Sequence, residues 1–166
     1  GKNLALVSDA GTPTISDPGC LLVSQIRSHF TDFETKLPNG SSIARSVDII
    51  PVPGASAVLS ALSISGFPSS QFTFLGFLPH KKGRETMFRE IASASHTTVF
   101  YESPHRIAKT LASLAEYLPS KRRICVSREI TKIHEEHFIG SAQDVLTHYE
   151  KHPERLRGEF VVVVAS

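Results

Sequence analysis

Two short stretches have the residue types and spacing to hold a ligand: Ser8 to Gly19, SDAGTPTISDPG, and Val52 to Ala57, VPGASA. Each follows an apolar run, Leu4 to Val7 or Ile49 to Val52, and each leads into an apolar-periodic segment, so each reads as strand, tight loop, helix. In an open α/β sheet such loops lie at the carboxyl ends of strands, where ligands bind, and glycine at the bend lets backbone approach a ligand closely. The plainer reading of the same residues is that Gly and Pro make tight turns. Three further segments concentrate charge. GFLPHKKGR, Gly76 to Arg84, puts His80, Lys81, Lys82 and Arg84 in a cationic loop suited to phosphate, or equally to solvent. FYESPHR, Phe100 to Arg106, places Glu102 at a strand end, with His105 and Arg106 in the first turn of a helix, where cations are electrostatically disfavoured. SREITKIHEE, Ser127 to Glu136, places Arg128 and Glu129 at another strand end, with Thr131, Lys132 and Glu135 close behind. As plain surface ion pairs, the last two clusters would add little stability.

The elements that must position these groups follow from periodicity and punctuation. Leu4 to Val7 reads as a buried strand, and Asp17 then Pro18 as the cap and first residue of a helix reaching Phe30 with Leu21, Leu22 and Ile26 inward. Thr31 to Ser46 is polar and contains Pro38, Asn39 and Gly40, which predicts a loop or hairpin-like excursion. Asp48 to Val52 is a strand, Ala55 to Ser65 a helix closed by Gly66, and Phe67 to Ser70 a hinge. A second series comes next: strand 71–77, helix 83–94, strand 97–101, helix 104–118 started by Ser103 and Pro104, strands 123–128 and 134–140, helix 142–151 capped by Ser141, and strand 159–164. Ile107, Leu111, Leu114, Ala115 and Leu118 give the helix after Pro104 one core-facing stripe. The chain is α/β and two-lobed, with residues 1–68 forming one lobe and residues 69–166 a second lobe of mixed sheet with helices.

Composition narrows the function classes. The 166 residues are 40% hydrophobic and 20% charged, ordinary for a globular chain, with a formal net charge of +2 that neither demands nor excludes nucleic acid. The longest apolar run, Phe160 to Ala165, is far short of the roughly 20 residues of a membrane span. Cys20 and Cys125 lie far apart without a Cys/His ligand pattern, so both read as buried thiols in a reducing compartment, and no metal site is expected. His134 and His137, three apart on a strand, would point to opposite faces and make a poor metal pair. Neither a Ser/His/Asp arrangement nor a GxxxxGK[ST] phosphate loop is present.

SDAGTPTISDPG, VPGASAVLSAL, GFLPHKKGR, FYESPHR, SREITKIHEE and RGEFVVVV, in that order over nearly the whole chain, resemble the tetrapyrrole methylase superfamily. Within it they are most similar to the branch of small-subunit ribosomal RNA cytidine 2′-O-methyltransferases. The resemblance implies S-adenosylmethionine as methyl donor, held by Asp9, Gly11, Thr12 and Pro13, by Pro53, Gly54, Ser56 and Ala57, and by Tyr101. It implies a cytidine ribose 2′-hydroxyl of 16S ribosomal RNA as acceptor, with Lys81, Lys82, Arg84, His105, Arg106, Arg128 and Lys132 on its phosphates. Glu102 and Glu129 are the candidate proton acceptors, each at a strand end near basic partners. A cytoplasmic homodimer is implied by the family alone. Relatives begin with a strand and Gly-rich loop that should lie before Gly1, so the chain reads as amino-terminally cut and its first lobe as incomplete. Two alternatives remain open: methylation of a tetrapyrrole polycarboxylate, whose acceptor pocket basic residues would also suit, and a non-catalytic RNA- or partner-binding fragment.

Overall fold

The computed structural model describes residues 3–30, 34–36, 42–44 and 47–166, which fall into two compact units, residues 1–55 and 56–166. The larger unit begins with α2 (Ala57–Ser65) and contains β3 (Phe72–Phe77), α3 (Arg84–Ser93), β4 (Thr97–Glu102), α4 (Ile107–Tyr117), β5 (Arg123–Arg128), β6 (Glu136–Ser141), α5 (Ala142–Lys151) and β7 (Phe160–Val164). Its sheet runs β3-β4-β7-β5-β6. Only β3 and β4 are parallel, and the crossover between them carries α3; the remaining neighbours are antiparallel.

The run FVVVV explains why β7 sits at the centre. Val161 and Val163 pack on one face with α2, while Phe160, Val162 and Val164 pack on the other with α3, α4 and α5. A strand apolar at every position suits a place covered on both faces. On α4, Ile107, Leu111 and Leu114 are buried as their helical period requires, as is Leu118 at its C-cap, and Ala115 is half-buried. Ser141 closes a reciprocal capping box with Asp144 at the start of α5. Ser56 caps α2 and Gly66 ends it in the left-handed conformation.

The smaller unit holds α1 (Cys20–Phe30) and the antiparallel pair β1 (Glu34–Lys36) and β2 (Ser42–Ala44), so the excursion forms a hairpin where it is described. The rest of Thr31 to Ser46 lies outside the described residues. Neither Leu4 to Val7 nor Asp48 to Val52 is a strand. Among the described residues neither run has a ladder partner, and Leu4 (96%), Val7 (80%), Ile50 (78%) and Val52 (84%) are exposed. An apolar run becomes a strand only when neighbours take up its backbone groups. α1 starts at Cys20, with Val23 N–H on the Gly19 carbonyl at 3.0 Å, so Asp17 does not cap it. Val23 and Ile26 are half-buried, whereas Leu21 and Leu22 face solvent. Cys20 is also exposed; burial of Cys125 pushes its thiol pKa up.

The division after Ala55 precedes the sequence-based boundary at Pro68 because Val58, Ala61 and Leu62 of α2 pack on the larger sheet. No helix among the described residues is long and apolar enough to cross a membrane.

Candidate functional site

In the smaller unit the two glycine-proline loops meet. Thr12 donates its hydroxyl hydrogen to the Ala55 carbonyl at 3.3 Å, and a Cβ placed on Gly11 would find that same carbonyl at 3.9 Å. Gly11, Thr14 and Ser16 have φ of 70°, 76° and 54°, which turns the chain repeatedly. Among the described residues, the backbone–backbone bond inside this loop is Ile15 N–H to the Thr12 carbonyl at 3.4 Å. Asp9, Gly11, Thr12, Pro53 and Gly54 are exposed and Pro13 half-buried. The Thr12–Ala55 bond thus brings together two loops whose residues are mostly exposed.

In the larger unit the carboxyl ends of β4 and β5 each carry an anchored carboxylate. Glu102 is buried, 1% exposed. Its Oε1 accepts from Ser103 N–H at 2.9 Å and pairs with Arg106 at 2.7 Å; its Oε2 accepts from the Thr110 hydroxyl at 2.7 Å and from Arg84 at 3.3 Å. Both guanidiniums reach onward, Arg106 to the Leu78 carbonyl at 2.9 Å and Arg84 to the Pro79 carbonyl at 3.0 Å. Glu102 is therefore the post from which two arginines hold the loop after β3. A proton acceptor must touch the hydroxyl it serves, and this carboxylate is enclosed with both oxygens engaged. Arg84 and Arg106 are likewise committed inward. His105 and Arg106 precede α4 rather than forming its first turn, since Arg106 N–H and Ile107 N–H both bond the Ser103 carbonyl. Arg106 is the N-cap residue of α4, so a cation does stand at the helix amino terminus, where it is paired with Glu102.

Glu129 stands differently. It has φ 51° and its side chain is 17% exposed. Its Oε1 accepts from Lys132 Nζ and from Glu159 N–H, both at 2.9 Å, and Lys132 also pairs with Glu159 at 3.0 Å. The Lys132 ammonium, helped by the Glu159 amide, holds the Glu129 carboxyl below the usual carboxylate range, and the two carboxylates raise Lys132. Arg128 does not face outward. Its Nε donates to the Arg157 carbonyl at 2.8 Å and its Nη1 to the His134 carbonyl at 3.1 Å, and it lies 3.7 Å from Glu136. These bonds brace the 129–135 loop, in which Thr131 also has a left-handed φ of 69°.

Tyr101 is half-buried with its hydroxyl on the Val58 backbone in the first turn of α2, where peptide N–H groups have no intrahelical partner. Burial pushes its pKa up. Ser56 is occupied as the cap of the same helix, followed by Ala57 at its first position. Of the cations read as phosphate contacts, Lys81, Lys82, His105 and Lys132 are exposed, and Lys81 and Lys82 have no carboxylate partner among the described residues. No group of three or more His, Cys, Asp or Glu that could hold a metal occurs among the described residues.

Sequence reasoning missed Thr110 and Gly158. Thr110 lies on the buried face of α4, and a hydroxyl on an otherwise apolar stripe was the signal for it. Gly158 has φ 86°, and any Cβ there would overlap the Glu129 carboxylate. Nothing in the local residue pattern marks that approach, which joins segments distant in sequence.

The sequence model of the tetrapyrrole (corrin/porphyrin) methylases matches residues 1–146. Among curated proteins, the chain is 43% identical over 165 residues to a protein of Xylella fastidiosa, covering 99% of this chain and 55% of that one. It is 39% identical over 166 residues to one of Thermotoga maritima (100% and 66%) and 41% identical over 165 residues to one of Bacillus subtilis (99% and 50%). All three bear the name ribosomal RNA small subunit methyltransferase I. The chain spans about half the length of most of the curated relatives it matches. In fold it is similar to a solved structure of the methyltransferase CobJ, with TM-score 0.61 and 22% identity, covering 94% of this chain and 62% of that one. A second likeness is to the cobalt precorrin-4 methyltransferase CbiF, with TM-score 0.53 and 14% identity, covering 72% and 52%. With its family's sequence model spanning both glycine-proline loops and most of the larger unit, the chain belongs to the tetrapyrrole (corrin/porphyrin) methylase family.

Proposed function

We propose that this chain carries the working residues of an S-adenosylmethionine-dependent methyltransferase that modifies the ribose 2′-hydroxyl of a cytidine in 16S ribosomal RNA. The observation that carries this reading is likeness across 99% of the chain, at 43% identity, to a protein named for the small-subunit RNA, rather than to a corrin or porphyrin enzyme. The corrin enzymes resemble it in fold at 22% identity or less.

The mostly exposed Ser8–Gly19 loop, beside Ala55, fits a donor with an amino-acid head, a ribose and an adenine. Asp9, Gly11, Thr12 and Pro13, with Pro53 and Gly54, would hold it; Ser56 and Ala57 continue the second loop into α2. When bound, the donor supplies a methyl group already activated by a sulfonium. The protein's part is to orient, to exclude water and to manage a proton. Orientation of reactants can lower a barrier by on the order of 7 kcal/mol or more. Lys81 and Lys82 would take RNA phosphates, as would the exposed His105 and Lys132. Glu129, whose side chain is partly exposed, is the acceptor for the hydroxyl proton, with the Lys132 ammonium beside it. Glu102 positions the Leu78–Arg84 loop. The full assembly is read as a cytoplasmic homodimer.

Labelled S-adenosylmethionine, offered with small-subunit RNA in one reaction and uroporphyrinogen in another, tests the acceptor class. Label in the RNA alone supports the reading; label in the tetrapyrrole alone replaces it.

A further inference from the structure

The carboxyl end of β3 contains a side chain turned away from its regular place. Phe74 opposes Val99 and Phe77 opposes Tyr101, so two residues, Leu75 and Gly76, stand where a regular ladder has one. Strict alternation would send Phe77 to the face that Leu75 shares with Phe100, the face of the larger core. The bulge, with Gly76 at φ 64°, reverses that: Phe77 lies with Phe74 against Tyr101, its ring centroid 5.4 Å from that of Tyr101 and tilted 55°. It is 53% exposed, while Leu78, the next residue, is 1% exposed in the core. Bulges beside sites re-aim side chains, and exposing a phenylalanine forgoes burial that the regular strand would have provided.

The chemistry of the adjoining loop indicates the occupant. Immediately after Phe77 the chain presents Lys81 and Lys82 to solvent without a carboxylate partner among the described residues, and it is held in shape by Arg84 and Arg106 on the buried Glu102. A flat aromatic face followed by unpaired cations is complementary to single-stranded nucleic acid, whose bases stack while its phosphates seek charge. Resting on the RNA reading above, we propose that Phe77 is a stacking platform for an unpaired base of the RNA, with Lys81 and Lys82 gripping the adjoining phosphates.

The test uses the 166-residue chain and a fluorescent single-stranded decacytidylate, beside an abasic strand of equal length. Phe77→Ala and Phe77→Leu should each weaken decacytidylate binding about five- to thirty-fold, Phe77→Trp should restore it, and all should bind the abasic strand like wild type. Phe77→Leu keeps an apolar side chain without the aromatic face, so a packing defect and a lost stack are told apart. Lys81→Ala with Lys82→Ala should reduce the slope of log affinity against log salt by about 1.4. Decacytidylate binding unchanged in Phe77→Ala would overturn the platform and leave the RNA reading standing. Failure of the wild-type chain to bind RNA, with Phe77-dependent binding of uroporphyrin instead, would overturn both.

Discussion

Glu102 and Glu129 occupy equivalent places in the sequence, each at a strand end beside basic residues, yet one is enclosed and the other partly exposed. Removing charge from Glu102 leaves Arg84 and Arg106 facing a neutral group inside the fold, so Glu102→Gln should lower unfolding free energy by about 3 kcal/mol in urea titrations. Glu129→Gln should instead leave stability nearly unchanged and slow methyl transfer about a hundred-fold or more, with RNA affinity retained. A loss of rate without loss of stability in Glu102→Gln would reverse these assignments. Gly158→Ala meets both a left-handed φ and the Glu129 side chain, so it should destabilise by more than about 1 kcal/mol and disturb the Glu129–Lys132 pair. Acid should act through the same class of group. Burial raises the Glu136 pKa, but His148 and Arg155 outweigh it and hold the carboxyl below its ordinary 4.5. The unfolded chain therefore takes up the proton first as pH falls, and Glu136 contributes stability above about pH 4.5 that is lost as pH drops through its folded value. Glu136→Gln should flatten that acid limb of a stability–pH curve.

At the scale of elements, local chemistry was readable wherever a helix or strand carries its own signal. Ser141 caps α5 as predicted, with Asp144 completing a capping box, and Ser141→Ala should cost about 1 kcal/mol by thermal or urea unfolding. β5 matches its sequence-based range, and the apolar stripe of α4 lies inward apart from the half-buried Ala115. What failed depended on partners. Leu4 to Val7 and Ile49 to Val52 have the composition of buried strands, but composition cannot supply a neighbouring ladder. Pro18 and Pro104 both sit in turns ahead of their helices, because the regular ladders of α1 and α4 begin on the carbonyls of Gly19 and Arg106, further along. The site shows the same division. The tight glycine-proline bends were legible, whereas the inward commitment of Arg84, Arg106 and Arg128 was not, since a sequence does not reveal which cations find buried acceptors.

The whole molecule combines units of unequal internal support. Among the described residues of 3–55 with described side chains, none is buried, whereas β4, β5 and β7 in the larger unit are almost wholly enclosed. Amide hydrogen exchange should therefore show strong protection in those strands and fast exchange across the Ser8–Gly19 loop, with that loop gaining protection on addition of S-adenosylhomocysteine. On the proposed reading, the Ser8–Gly19 loop of the smaller unit serves the donor, and the Phe77–Arg84 segment of the larger unit serves the acceptor. The most direct test is nucleoside mass spectrometry of 16S ribosomal RNA after incubation with the protein and S-adenosylmethionine. The account predicts 2′-O-methylcytidine, sharply reduced by Glu129→Gln; a methyl group on a nucleobase, or unmodified RNA beside a methylated tetrapyrrole, would contradict it.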